Sequence, residues 1–350
     1  MYGEDGRFCK DIAGPAKKSA LSNASAVFYR QEQPKLACER LQKGGSIRIS
    51  TYVLVTPAHN EGAFIERTIQ SVIAQTILPV RWVLVNDGST DRTSEIMRKY
   101  LPANPWMEVI DRPRRSDRNF AGKAYAVNAA YQKVRDLDFE VFGNLDADSS
   151  LERDHFEFLL SKFSENPRLG VAGSAFREED YSSLTDGFAG REHVSGQCQL
   201  FRRDCWEEIG GYFPHRAGGV DWIAVTTARM KGWQTESFKE RSLWHHRRMG
   251  SARHGRIRFA FACGEKDYYL GNHPIWEIFR VGYRCMKTPY LAGGVSLGLG
   301  YCFAFLRRMP RAASPELVAF HRQEQMTKLV AILKSFAKRG RVDRFNVERE

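Results

Sequence analysis

Two aspartates separated by one residue, Asp146 and Asp148, close the apolar run Val141–Leu145. Residues i and i+2 of an extended segment project to the same side, so both carboxylates face one point. Such a pair is costly unless neutralised. A divalent cation does this: Mg²⁺ or Mn²⁺ held by one or two carboxylates completes its shell with phosphate oxygens and water, which implies a diphosphate ligand. A lone Asp-x-Asp is easily matched by chance, so its company decides. Two further polar turns follow apolar runs, Thr56-Pro57-Ala58-His59-Asn60-Glu61 and Val85-Asn86-Asp87-Gly88-Ser89-Thr90-Asp91. Gly122-Lys123 opens a helical pattern before Val141–Leu145, where an ammonium beside free helix N–H groups suits a phosphate.

These residues need elements that bring them to one edge. Apolar runs at Tyr52–Thr56, Trp82–Val85, Met107–Ile110 and Val141–Leu145 read as strands. Between them lie helical patterns carrying Phe64, Ile65, Thr68, Ile69, Val72 and Ile73, then Asp91–Tyr100, then Ala121–Val134. Strands alternating with helices predict an α/β fold with a mostly parallel sheet flanked by helices, whose ligands bind beyond the carboxyl ends of the strands. Helices are expected again at Arg153–Glu165, Asp204–Ile209 and Val220–Lys231, with a strand at Leu169–Phe176. The irregular stretch Arg177–Gly196 reads as an acceptor loop. Residues 1–48, rich in Ala, Ser, Lys and Gln, read as a poorly ordered extension, 49–250 as the catalytic domain, and 251–350 as a basic, aromatic, helical appendage.

The three turns, in this order, resemble those of the family 2 glycosyltransferases of the GT-A fold, of the exopolysaccharide and cell-envelope glycan type. In that family the first strand ends in Pro-x-x-Asn-Glu and the second in Asn/Asp-Asp-Gly-Ser-x-Asp; the resemblance covers about Thr51–Phe238. It implies a metal-dependent inverting transfer of a sugar from a nucleoside diphosphate sugar to a glycan or polyprenyl-linked acceptor. By resemblance Pro57, Asn60 and Glu61 lie against the nucleotide, Asp87 reads the base, Lys123 lies near the nucleotide, and Asp146 and Asp148 form the ribose-and-metal pair. Asp221, in Gly218-Gly219-Val220-Asp221-Trp222 after Ile209-Gly210-Gly211-Tyr212, resembles the family's general base; the departure is Val220, where many members carry an acid. A histidine downstream of the base often completes the metal site, so His245 and His246 are both candidates. Strand neighbours face opposite ways, which leaves the choice between them open. Arg247 and Arg248 suit the diphosphate or a lipid phosphate.

Composition bounds the alternatives. The 350 residues are 43% hydrophobic and 27% charged, which excludes a disordered, collagenous or coiled-coil chain. Seven scattered cysteines without a C-x-x-C pair argue against a zinc knuckle or a disulfide framework and fit a reducing compartment. The formal net charge is +12, yet residues 241–350 hold 21 Lys and Arg against 8 Asp and Glu, so the whole excess lies in the last third. That region expects an anionic partner, and arginines alternating with aromatics from Arg253 to Tyr269 suit a membrane surface. The uncharged stretch Thr288–Leu306 nears the ~20 residues that span a bilayer, and crossing, interfacial and buried readings stay open. No secretory signal opens the chain, so the expected place is the cytoplasm at the inner face of the cell membrane. A nucleic-acid- or phospholipid-binding protein working through its basic third is one competing class. No nucleic acid is expected, because carboxylates at three strand ends would repel phosphate unless metal-loaded. A sugar nucleotidyltransferase is another, but it would usually show a Gly-rich basic loop after the first strand.

Overall fold

A computed structural model describes residues 49–114, 119–179, 182–183, 190–247 and 255–337. The expected extension 1–48, much of the acceptor loop, Arg248 and Arg253 lie outside the described residues. Strands β1 (Tyr52–Ala58), β2 (Arg81–Asp87), β3 (Met107–Arg112) and β4 (Val141–Leu145) alternate with helices α1 (Ile65–Ile73), α2 (Thr93–Lys99) and α3 (Ala121–Val134). Then come β5 (Ser149–Leu151), α4 (His155–Glu165), β6 (Leu169–Arg177), β7 (Cys198–Arg202), α5 (Arg203–Ile209), α6 (Val220–Met230) and β8 (Gln234–His245). Four helices follow: α7 (Arg256–Leu270), α8 (Pro274–Cys285), α9 (Tyr290–Leu306) and α10 (Pro315–Ala337).

The sheet order is β3-β2-β1-β4-β7-β6-β8-β5. The half from β3 to β4 is parallel, β7 runs antiparallel to both neighbours, β6 and β8 are parallel, and β5 is antiparallel to β8. Alternation along the strands splits the core in two. Tyr52, Leu54, Trp82 and Leu84 face one layer with Ile65, Ile69 and Phe156, while Val53, Val55, Val83 and Val85 face the other with Val127, Tyr131 and Trp206. Strands apolar on both faces are what a sheet covered by helices on both sides requires. The α/β expectation therefore holds, with β5 and β7 as additions that short sequence runs did not announce.

The C-terminal helices pack onto α6. Ile223 joins Tyr269, Leu270, Leu317 and Val318 in one cluster. The largely enclosed Arg229 guanidinium meets Glu324 through hydrogen bonds of 3.0, 3.1 and 3.3 Å. Thr288–Leu306 does not supply a crossing helix: among the described residues no helix is long and apolar enough to cross a membrane. At about 1.5 Å per residue, the 17 residues of α9 reach ~25 Å against a hydrocarbon core of ~30 Å. Its glycines instead serve close helix packing. A Cβ at Gly264 of α7 would stand 1.9 Å from Leu297 O, and one at Gly300 of α9 would stand 2.0 Å from Phe261 O. Gly264→Val should thus cost at least about 3 kcal/mol, the upper end for overpacking, measured as a lower denaturant midpoint.

Two buried histidines make stability depend on pH. Burial pushes His155 down to about 4 and His321 down to about 3; their Nε2 atoms lie 3.2 Å from Ser174 Oγ and 2.9 Å from Asn272 Oδ1. Between the folded values and the ordinary ~6.5 the unfolded chain binds more protons, so their contribution is full above ~6.5 and is lost as pH falls. Each should steepen the loss by up to about 1.4 kcal/mol per pH unit below that point. Denaturant titrations from neutral pH to about 5 should show this slope, flattened in the His155→Gln/His321→Gln variant.

Candidate active site

The first two turns are zipped together at the carboxyl edge of β1 and β2. Asn60 adopts a left-handed φ of 56°, a conformation Asn tolerates, and its Oδ1 accepts from Thr90 N at 2.8 Å. Asn60 N donates to Ser89 Oγ at 3.0 Å, and Glu61 N donates to Thr93 Oγ1 at 2.8 Å. Gly88 has φ 69°, and a Cβ there would come within 2.6 Å of Arg114 Cα, so both strain and space demand glycine. His59 Nδ1 lies 2.7 Å from Asp87 O. The Asp87 carboxylate accepts from Arg112 at 3.2 Å, its register partner across β2 and β3.

Past the end of β4, Asp146 and Asp148 sit in a turn leading into β5. Lys123, in the first turn of α3, reaches Asp146 Oδ1 at 2.5 Å and Gly196 O at 2.8 Å. Asp148 is buried between two cations of β8 and the residues after it: His245 Nε2 lies 3.5 Å from Oδ1, and Arg247 Nε donates to Oδ2 at 3.2 Å. Arg247 also pairs with Glu61. Pro57, Asn60 and Glu61 from the first turn, Asp87 from the second, Lys123, Asp146, Asp148, His245 and Arg247 thus line one edge. His246 is not directed at the aspartates. Its Nε2 lies 3.0 Å from Ser150 Oγ, and its ring stacks on Phe64 with centroids 6.3 Å apart.

Charges at this edge are crowded. Burial pushes Glu61 up to about 7, with the Asp148 charge adding to it against the opposing Arg247. Burial also raises Asp146, opposed by Lys123 and reinforced by Asp148. Burial alone would raise Asp148 and lower His245, but their mutual contact, Arg247 and Glu178 reverse both: Asp148 falls below its usual range and His245 rises to about 9.

Asp221 stands in the first turn of α6, next to Gly196. A Cβ at Gly196 would lie 3.0 Å from both Cβ and Oδ2 of Asp221. Burial would raise its carboxyl, yet the positive surroundings of Lys266, Lys123 and His193 hold it below the ordinary value. An ionised carboxylate in such a place can take a proton from a hydroxyl.

Glu61, Asp146 and Asp148 are hard oxygen donors, and their mutual repulsion fits a divalent ion. Among the described residues no group of three His, Cys, Asp or Glu side chains closes around a metal by itself. Hard carboxylates of this kind suit a divalent ion that takes further ligands from phosphate and water.

Several partners escaped sequence reasoning. Glu178 accepts at 2.8 Å from His245 Nδ1 across 67 residues, and Arg112, Gly196, His193 and Lys266 come from four separate segments. Only Arg112 had a usable signal, since it ends the strand next to the one bearing Asp87.

Comparison with known proteins shows what this edge is similar to. Residues 53–210 match the sequence model described as Glycosyl transferase family 2, a span that includes the three turns and ends before Asp221. The chain is 30% identical over 186 residues to a chondroitin synthase of Pasteurella multocida, covering 50% of this chain and 18% of that protein. It is 28% identical over 171 residues to a poly-beta-1,6-N-acetyl-D-glucosamine synthase of Staphylococcus aureus, covering 49% and 39%. The matched part is thus well under half the length of these relatives. A mannosyltransferase from Pyrobaculum calidifontis, solved with GDP-Man and Mn²⁺, shares the fold at TM-score 0.51 and 17% identity, over 87% of this chain and 89% of that one. S. aureus TarS, solved with UDP-GlcNAc, does so at 0.52 and 13%, over 83% and 92%.

Proposed function

We propose that this chain, which carries a glycosyl transferase family 2 domain, moves a sugar with inversion from a nucleoside diphosphate sugar to a hydroxyl of a glycan or lipid-linked acceptor. One observation carries the reading. Lys123 joins Asp146 to the Gly196 carbonyl, and Asp221 stands next to Gly196, so an ionised carboxylate lies beside the donor-binding edge.

In this reading Asp87 accepts from a base N–H, with Arg112 orienting its carboxylate. Lys123 and Arg247 neutralise the diphosphate, and Asp146 and Asp148 would hold a divalent ion together with its phosphate oxygens, with Glu61 beside them on Arg247. The ion supplies charge neutralisation of the departing diphosphate. Asp221 takes the proton of the acceptor hydroxyl while its oxygen bonds to the anomeric carbon from the face opposite the nucleotide. The bond from that carbon to the phosphate oxygen breaks, and its electron pair leaves with the nucleoside diphosphate. His245, held by Glu178 on one nitrogen, keeps its other nitrogen toward Asp148, and His246 takes no part at the metal.

A panel of UDP-, GDP- and dTDP-sugars tests this by thermal shift with and without Mn²⁺, because a ligand that binds only the folded state raises its apparent stability. One donor should raise the melting temperature only when metal is present. A panel with no shift in either condition would overturn the donor assignment.

A further inference from the structure

The C-terminal helices present an apolar face that nothing in the chain's described residues covers. On α9 the buried side is made by Gly293, Gly294, Leu297, Gly300, Tyr301 and Ala304 against α7 and α8. The opposite side exposes Leu291, Val295, Leu299, Cys302 and Leu306, with the four aliphatic side chains 53–78% exposed. At about 100° per residue these five positions fall within an arc of about 80°, a continuous stripe. Phe303 borders it and packs on Phe261 of α7 with ring centroids 5.7 Å apart. Beside the stripe an open groove of about 670 Å³ is lined by Ile257, Phe261, Pro289 and Ser296, with Arg256 and Arg258 among its walls. It shares no lining residue with the carboxylate edge. Ile257, Phe259 and Ile278 on the two neighbouring helices, and Met286 just past α8, add exposed apolar surface.

Charge says what such a face fits. From Gly255 to Arg311 there are nine Lys and Arg against three acids. Two of those acids, Asp267 and Glu277, are buried. The exposed cations Arg256, Arg258, Lys287, Arg307, Arg308 and Arg311 flank the apolar face, and Arg307 lies over the Phe303 ring at 5.3 Å. Apolar side chains framed by arginines suit the boundary between acyl chains and anionic headgroups. A second copy docking through the same face would bring like charges together.

We propose that α7, α8 and α9 form an interfacial docking surface for an anionic phospholipid bilayer, with the α9 stripe lying in the headgroup layer and the arginines on lipid phosphates. This inference is independent of the transfer reaction, because its readout is partition to vesicles. The full chain should co-sediment with vesicles of phosphatidylcholine mixed with phosphatidylglycerol, and bind phosphatidylcholine alone far less. Leu291→Glu/Leu299→Glu places charges on side chains already in solvent, so folding is kept, and should lower partition at least ~10-fold. Arg307→Glu/Arg308→Glu should lower it comparably at low salt and by less at high salt, where headgroup attraction is screened. Melting curves that match the parent chain would show that both variants fold. Absence of binding to the anionic vesicles, or leucine variants that bind as well as the parent, would overturn the proposal. So would a dimer in sedimentation velocity that those variants dissociate while vesicles leave it intact.

Discussion

Asp221→Asn is expected to keep donor affinity and lower turnover by ~10² to 10⁴, the usual scale for a lost general base. The substitution removes the proposed proton acceptor while leaving the shape of the first turn of α6, since an amide has the size of the carboxylate it replaces. Lys266, Lys123 and His193 keep the native carboxylate ionised, so the variant loses a charged base rather than an already protonated acid. Single-turnover kinetics with saturating donor, beside donor binding measured separately, would distinguish loss of chemistry from loss of binding. Unchanged turnover would move the base elsewhere, with Asp204, Glu207 and Glu208 next to test. Of these Glu207 is engaged with Tyr131 and Arg203, and Glu208 with Trp233, which makes them poor substitutes.

Asp148→Ala is expected to abolish metal-dependent donor binding, a loss of ~10²-fold or more, since even removing a group that only supports a metal ligand costs 10- to 100-fold. Asp148 is the carboxylate on which His245 and Arg247 converge, so its removal leaves His245 with Glu178 and Arg247 with Glu61. Donor titrations with and without Mn²⁺ would separate the two consequences. Lost metal dependence with weak residual binding through Lys123 and Arg247 supports the site, and unaltered affinity in the presence of Mn²⁺ rules it out. The same variant should return His245 toward its ordinary value, because the Asp148 contact is a main cause of its rise to about 9, a change readable in the ring resonances on pH titration.

The sequence by itself determined the α/β class and the edge on which the chemistry gathers. The continuous apolar runs Tyr52–Thr56, Trp82–Val85 and Val141–Leu145 are local signals, and in a parallel sheet with helical crossovers every such run delivers its following turn to the same side. Asp87, Asp146 and Asp148 could therefore be brought together before any coordinate was known. Tertiary structure decided the rest, because the deciding contacts join segments that no local period connects. Where His245 and His246 point depends on β8, whose pairing with β6 slips between Ser174 and Ala175, so alternation along the strand cannot be counted across it. Glu178 meets His245 only through that same pairing. Likewise, the uncharged stretch Thr288–Leu306 carries a hydropathy that suits lipid or a protein core equally. Gly264 and Gly300 settled it, by letting backbones approach so closely that one side of α9 is buried in protein and only the other is left exposed.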